Sequence, residues 1–432
     1  MLNLITVIKN KELLIALYFL LFILGLTVGI TPKFYNEFRV LELVLLFSFG
    51  FYSLTSKRQN TSKIELLFLA YICVASLFWQ NYEFIVVDLL LAYLLYKSFF
   101  SLDYNELVTK IIVFASLLIF PLLPLSIVDY ISTGYYYSIW HPMPWNIRVY
   151  DSYLLIISIL AVWLYSSNTR YKNIYLLLPF LSLFSTLMNA GRSATLAYTV
   201  FLAIIVIFNR TVRWQLLSIY IAAWFAYVSI TYLSASNLAS SSLTLGLQIA
   251  RSTTSLRYDL WVNAFECWLQ NPVIGCGFYQ LGSYEYLAAH PHNLLIQILT
   301  ETGLIGLGFL LTIVFVIFKN VAWRSRESYF TIAALLAVGI DLSLSGTHIY
   351  PITQIALLWL LAFLLKNPVF QHASYFNKVT EANSLGSMVV SSVSYFVLMA
   401  IFVYFFRTTS VFLDNDMLTT PPRFWEYGYQ LL

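Results

Sequence analysis

HPHNLLIQILTETGLIG, residues 290–306, opens an apolar run that continues as LGFLLTIVFVIF to Phe318. A predominantly apolar stretch of about 17 to 25 residues crosses a bilayer as a helix. This one carries His292 at its mouth, Asn293 next to it, and Glu301, Gly303 and Gly306 inside it. Histidine is the side chain whose unperturbed pKa brings a charge change near neutral pH. A helix that only packs has little use for this combination. The stretch therefore reads as a membrane helix with a proton-handling site at its end.

The rest of the chain has the same character. Of its 432 residues, 60% are hydrophobic and 10% are charged, against about 25% charged in an ordinary soluble domain. Apolar spans centre near residues 21, 47, 71, 90, 118, 159, 182, 201, 223, 307, 336, 359 and 396. The expected fold is all-α, a polytopic transmembrane helical bundle of about 12–13 spans. The short alternating segments of a membrane β-barrel are absent from the sequence. The first span is too long for a signal-peptide core and reads as an anchor. There is no phosphate-binding glycine loop, dinucleotide fingerprint or zinc-type spacing. Nor is there a basic stripe of the nucleic-acid kind.

The basic residues are sorted by type. Loops enriched in Lys and Arg face the cytoplasm, which orients Lys9, Lys11, Lys57, Arg58, Lys63, Arg170, Lys172, Arg210, Arg213, Lys319, Arg324 and Arg326 to that side. Eight basic residues fall elsewhere: Lys33, Arg39, Arg148, Arg192, Arg251, Arg257, Arg407 and Arg423, seven of them arginine. Bidentate recognition of phosphate favours the planar guanidinium over the ammonium group. Four of the five histidines, all but His372, map to the external side with these arginines.

Two external loops stand out. Residues 130–150, YISTGYYYSIWHPMPWNIRVY, combine interface aromatics with His141 and Arg148. Residues 234–292 begin Ser-rich and continue as SLRYDLWVNAFECWLQNP, where Leu256, Leu260, Ala264 and Trp268 recur at helical spacing. That segment predicts an amphipathic interfacial helix ended by Pro272, with Arg257 near its start and a turn at GCGF. Cys267 and Cys276, nine residues apart in this loop, can pair in an oxidising compartment. Cys73 falls within a span and reads as a core residue.

Arg192, in NAGRSATLA, sits between apolar runs with small neighbours that let a ligand approach. Charges against a bilayer are costly and mark functional paths. Arginines with a histidine, and no carboxylate cluster suited to a metal, point to a phosphate-bearing substrate handled without metal or other cofactor. Two guanidiniums can stabilise a departing pyrophosphate, and a histidine can take the proton of an attacking hydroxyl. Glu301 orients polar groups or pairs with an arginine. Asp341, inside the span before His348, is a second costly charge and a candidate arginine partner. His290 and His348 are supporting candidates.

Three blocks carry a resemblance. His292-Asn293, nine residues, then Gly303 and Gly306 form one. SLRYDLWVNAFECWLQNPVIGCGF and GRSATLA are the others. Their order over residues 185–318 resembles the O-antigen ligase superfamily, which holds O-antigen ligases, O-antigen polymerases and protein O-oligosaccharyltransferases. The resemblance implies an undecaprenyl-pyrophosphate-linked glycan donor and an inverting, metal-independent transfer. It implies His292 as general base, with Arg192 and Arg257 on the pyrophosphate. Arg148 and Arg251 match by location, and Asn293, Glu301, His290 and His348 support the site.

The resulting expectation is a multi-pass glycosyltransferase of the bacterial inner membrane, with its site facing the periplasm and among membrane lipids. The acceptor is lipid A–core, with a pilin-type glycoprotein acceptor as the alternative and polymerase activity after that. A lipid-linked glycan flippase or transporter is the reading from another class. On this reading residues 1–233 are N-terminal transmembrane helices with the short loop at 130–150. Residues 234–292 form the large periplasmic loop with its interfacial helix. Residues 293–406 are C-terminal transmembrane helices, and 407–432 are a polar tail.

Overall fold

A computed structural model of the chain describes residues 15, 17–20, 35–55, 63–79, 82–102, 104–137, 140, 147–167, 172–237, 257–278, 280–283, 290–323, 325, 327–367, 370, 385–408 and 423–425. Its regular elements are helical. They are α1 (Tyr35–Thr55), α2 (Lys63–Ala75), α3 (Tyr82–Ser101), α4 (Glu106–Ser116), α5 (Leu123–Thr133), α6 (Ile147–Ser167) and α7 (Leu177–Met188). They continue with α8 (Arg192–Phe208), α9 (Arg213–Asn237), α10 (Arg257–Gln270), α11 (Leu294–Asn320), α12 (Ser328–Leu344), α13 (Pro351–Lys366) and α14 (Leu385–Thr408). The span centres from 47 onward all fall inside helical segments.

Among the described residues, four helical stretches have the length and apolarity to cross a membrane: Glu106–Thr133, Arg148–Ser167, Arg213–Ser234 and Leu294–Lys319. Other apolar helices, such as α8 and α13, are shorter. A helix of 17 residues is about 25 Å long, near the lower limit of what spans the hydrocarbon. The chain is an all-α polytopic membrane protein.

The chain forms two compact units. One holds residues 1–34, 105–252 and 326–341. Its centre is α6, where every residue from Val149 to Val162 is buried. A helix apolar all round belongs inside a bundle, and its few hydroxyls are paired: Tyr198 Oη donates to Ser158 Oγ at 2.8 Å, and Tyr153 and Ser116 share a 2.8 Å hydrogen bond. By contrast α9 leaves Ile221, Phe225, Val228 and Tyr232 exposed. In water such a face is an association surface; against lipid it needs no cover.

The second unit holds residues 35–104, 253–325 and 342–432. Here α1 packs on α3, α13 and α14, and α10 packs on α11. The long helix α11 is broken at Gly303, whose φ of 63° and ψ of −164° are reserved for glycine. The turn 271–277, NPVIGCG, plugs the break. Cys276 N donates to Thr300 O at 2.9 Å, while Leu304 N and Ile305 N donate to Pro272 O at 3.0 Å and Val273 O at 3.2 Å. The Tyr71 hydroxyl donates to Thr302 O, and Trp79 Nε1 to Gly275 O at 3.2 Å. Irregular backbone at membrane depth is tolerated only where its polar groups are met inside the protein.

Cys267 and Cys276 form a disulfide, which ties α10 to this turn. Cys73 departs from expectation. It lies on α2, but its side chain is exposed rather than in the core. The packed side of α2 is made by Ile72 and Ala75, which join Trp79, Leu89 and Phe278.

Gly303→Ala is expected to destabilise the protein by roughly 1–3 kcal/mol or more, since a Cβ here adds a clash to the backbone strain. That Cβ would lie 2.3 Å from Val273 O and 2.4 Å from Gly275 N. Gly308→Ala, five residues on, meets nothing within 4 Å. Thermal unfolding in detergent should show a lower midpoint for the first variant and an unchanged one for the second.

Candidate active site

The first half of α11, residues 294–302, presents the site. Asn293 caps it: φ is −151°, and its Oδ1 accepts from Ile296 N at 3.1 Å. The residue before the cap, His292, is left-handed with φ of 53°. That conformation is uncommon outside glycine. It turns the chain so that the His292 ring stands edge-on to His290, with centroids 4.2 Å apart. Pro291 between them is held by Trp261, whose Nε1 donates to its carbonyl at 2.8 Å. One turn into the helix, Gln297 and Glu301 share a face at i, i+4 spacing. Both are buried.

His348 arrives from the loop between α12 and α13, with its Nε2 2.7 Å from the Gln297 carboxamide. Gly346 lets this loop approach, since a Cβ there would lie 3.0 Å from His290 Cε1. Arg423 comes from the polar tail. Its Nη2 lies 2.6 Å from Glu301 Oε1, and its Nε 3.1 Å from Asp88 Oδ2 on α3. Thus His290, His292, His348, Asn293 and Glu301 are brought together, and the Glu301 pairing expected from sequence is made with Arg423.

Asp88 and Gln297 did not stand out in the sequence, and Arg423 stood out only as one of the eight basic residues off the cytoplasmic side. The same holds for Arg39, which is buried and anchors the tail. It donates to Glu42, to Gln354 Oε1 at 2.6 Å, to Ile349 O at 2.7 Å and to Phe424 O at 2.9 Å. The Tyr35 hydroxyl donates to Arg423 O at 2.6 Å, and Gln354 Nε2 to His348 O at 2.7 Å.

These contacts stand in the second unit. Residues 174–311 match the sequence profile of the O-antigen ligase family. The matched segment, 138 of the 432 residues, gives the chain a likeness to the O-antigen ligase superfamily. No curated protein matches it. The match supports a glycosyltransferase of the O-antigen ligase or polymerase kind in this membrane protein. The matched segment holds Arg192, Arg257, His290, His292, Asn293 and Glu301, whereas Arg148, His348 and Arg423 lie outside it.

The arginines named from the sequence are placed as follows. Arg257 is the first residue of α10 and half-buried, one turn before Trp261 and the Pro291 contact. Arg192 is the first residue of α8 in the other unit, half-buried, after a turn that holds Ala190 at φ of 54°. That turn is seated on Asp151. Asn189 Nδ2 donates to Asp151 Oδ1 at 2.7 Å, and a Cβ on Gly191 would lie 2.4 Å from Oδ2. Arg148 is exposed at the start of α6, and both it and Asp341 lie within electrostatic range of Asp151. Arg251 and His141 lie outside the described residues.

The surroundings of His290 and His348 favour the neutral imidazole. Burial lowers both imidazoles, and the neighbouring Arg423 and His292 push the same way. His348 falls to about 3, against 6.5 for a free imidazole. Between those values the unfolded chain binds a proton that the folded chain refuses, so stability is lost as pH falls through 6.5. Each such group contributes at most about 1.4 kcal/mol per pH unit in that window. The thermal midpoint in detergent should fall from about pH 7 to about pH 5, and His348→Gln should flatten the fall. An unchanged slope in the variant would show that His348 is not held neutral.

Proposed function

We propose that the protein transfers a glycan from undecaprenyl pyrophosphate to an acceptor hydroxyl at the periplasmic face of the bacterial inner membrane, and that the acceptor is the sugar of lipid A–core. The reading is carried by His292, a strained left-handed residue beside His290 and ahead of the capped half-helix, inside the segment matching the O-antigen ligase family. Strain of this kind concentrates at functional sites.

In this scheme the acceptor oxygen attacks the anomeric carbon as His292 takes the hydroxyl proton. The bond from that carbon to the pyrophosphate oxygen breaks, and undecaprenyl pyrophosphate leaves with the bonding pair. Attack from the face opposite the leaving group inverts the anomeric centre. Arg192 and Arg257 are assigned to the pyrophosphate on their motifs, with Arg148 and Arg251 on location. Planar guanidiniums answer its growing charge bidentately. No metal is assigned a role.

The test is transfer by purified protein from an undecaprenyl-pyrophosphate-linked glycan to lipid A–core, without nucleotide. His292→Ala is expected to lower the rate by a factor on the order of 10² to 10⁴ with the protein still inserted. Wild-type rates in that variant would remove His292 as the base. Arg257→Lys should cost more than charge conservation suggests, because the fork geometry is lost. EDTA should leave the rate unchanged; full loss restored by magnesium would overturn the metal-free scheme. Transfer to a pilin-type protein in place of lipid A–core would move the chain to the alternative within the family.

A further inference from the structure

Three groups face the Gln297 carboxamide, Glu301 at 3.3 Å and the closer Arg423 and His348, and the closer two decide which way it points. A guanidinium only donates, so the Gln297 oxygen faces Arg423, accepting from Nη1 at 2.9 Å and Nη2 at 3.1 Å. The amide nitrogen then faces His348 and donates to Nε2 at 2.7 Å. A nitrogen that accepts is unprotonated, so the neutral ring carries its proton on Nδ1. That Nδ1 is buried, and among the described residues it has no hydrogen-bond partner. The same holds for Nδ1 of His290, whose side chain is 2% exposed. Leaving a buried polar atom unpaired costs roughly 1–3 kcal/mol. Two of them on rings within electrostatic range of one another mark a place where a ligand completes the hydrogen bonding.

Arg423 itself has little freedom. Asp88 and Glu301 hold its guanidinium on two edges, and Phe278 lies under it with the ring centroid 5.7 Å from Cζ. Its backbone is fixed from α1 by Tyr35. The groups facing the His348 ring are Arg423, His292 and His290, while Gln354 holds its backbone carbonyl.

We propose that Arg423, brought in by the C-terminal segment, is a positioning residue of the transfer site: acting through Gln297, it holds His348 as the Nδ1-protonated imidazole, whose buried N–H donates to an oxygen of the substrate. The inference rests on the transferase reading for the identity of that substrate. It extends the site to a residue 122 positions beyond Glu301 in the chain and outside the family-matched segment.

Replacing Arg423 strands two carboxylates and risks the fold, so Gln297→Met is the primary variant. It removes the relay and leaves both ion pairs of Arg423 in place. The first readout is the ¹⁵N spectrum of histidine-labelled protein in detergent, with the His348 signals assigned by their loss in His348→Gln. Wild type should show an imine-type Nε2 and a protonated Nδ1, and Gln297→Met should give a mixture of tautomers. The second readout is transfer kinetics. Gln297→Met should lower kcat on the order of 10²-fold, the scale of a misplaced catalytic group, with KM for the lipid-linked glycan little changed. A protonated Nε2 in wild type, or His348 signals unmoved by Gln297→Met, would overturn the relay whatever the activity. A wild-type protein that shows the expected tautomer but transfers no glycan would overturn the transferase reading and the substrate assignment, leaving the relay standing.

Discussion

A helix broken inside a membrane protein must have its freed amides and carbonyls answered, and here one turn answers them. At Gly303 the ladder of α11 stops, and Pro272, Val273 and Cys276 supply the missing partners. The plug is itself fastened by the disulfide to α10 and by Trp79 and Tyr71 from the α2 region. The consequence is geometric. Residues 294–302 become a short, rigid half-helix of about 13 Å. Its start is set by the Asn293 cap and its end by the plug. Gln297 and Glu301 therefore stand on one face at a fixed height, with His290 and His292 at the mouth. A continuous helix would fix neither end so tightly.

The second constraint is charge. Arg39 and Arg423 are both buried in the same unit. A guanidinium taken from water is tolerated only when its donors are met and its charge is balanced. Arg39 meets this with Glu42, Gln354 and the carbonyls of Ile349 and Phe424. Arg423 meets it with Asp88 and Glu301. These two sets are not separate. Ile349 adjoins His348, Phe424 adjoins Arg423, and Gln354 reaches the His348 carbonyl. One guanidinium thus anchors the tail and the histidine loop together. Removing either arginine leaves buried carboxylates uncompensated, which is why the tail segment cannot be regarded as an appendage.

Much of this was readable beforehand. Twelve span centres land in helices because hydrophobic length is a direct statement about the solvent around a segment. The histidine mouth, Glu301, the helix from Arg257 and the turn after Pro272 were visible as local exceptions within apolar runs. The break at Gly303 was not, since a glycine in a membrane helix is ordinary and only the docked turn makes it a break. Arg423 was noticed only as one of the arginines off the cytoplasmic side, and its pairing was hidden for a different reason. It sits in PPRFWEY, where a polar setting makes an arginine unremarkable, and its partners lie 122 and 335 positions away. Gln297 and Asp88 carry no distinctive spacing. Cys73 misled because a helix in lipid has an apolar outer face, so hydrophobic surroundings in sequence do not imply burial in protein.

Burial also divides the work among the three imidazoles. His290 and His348 are enclosed and pushed far from protonation by desolvation and by Arg423. A group that resists a proton that strongly is a poor base at neutral pH, because catalytic efficiency falls as the pKa drops away from the working range. His348 is further committed, since its one unprotonated nitrogen already accepts from Gln297. His292 sits half-buried at the helix mouth on a strained turn. In the proposed scheme, proton acceptance goes to His292 and neutral hydrogen-bond donation to His348.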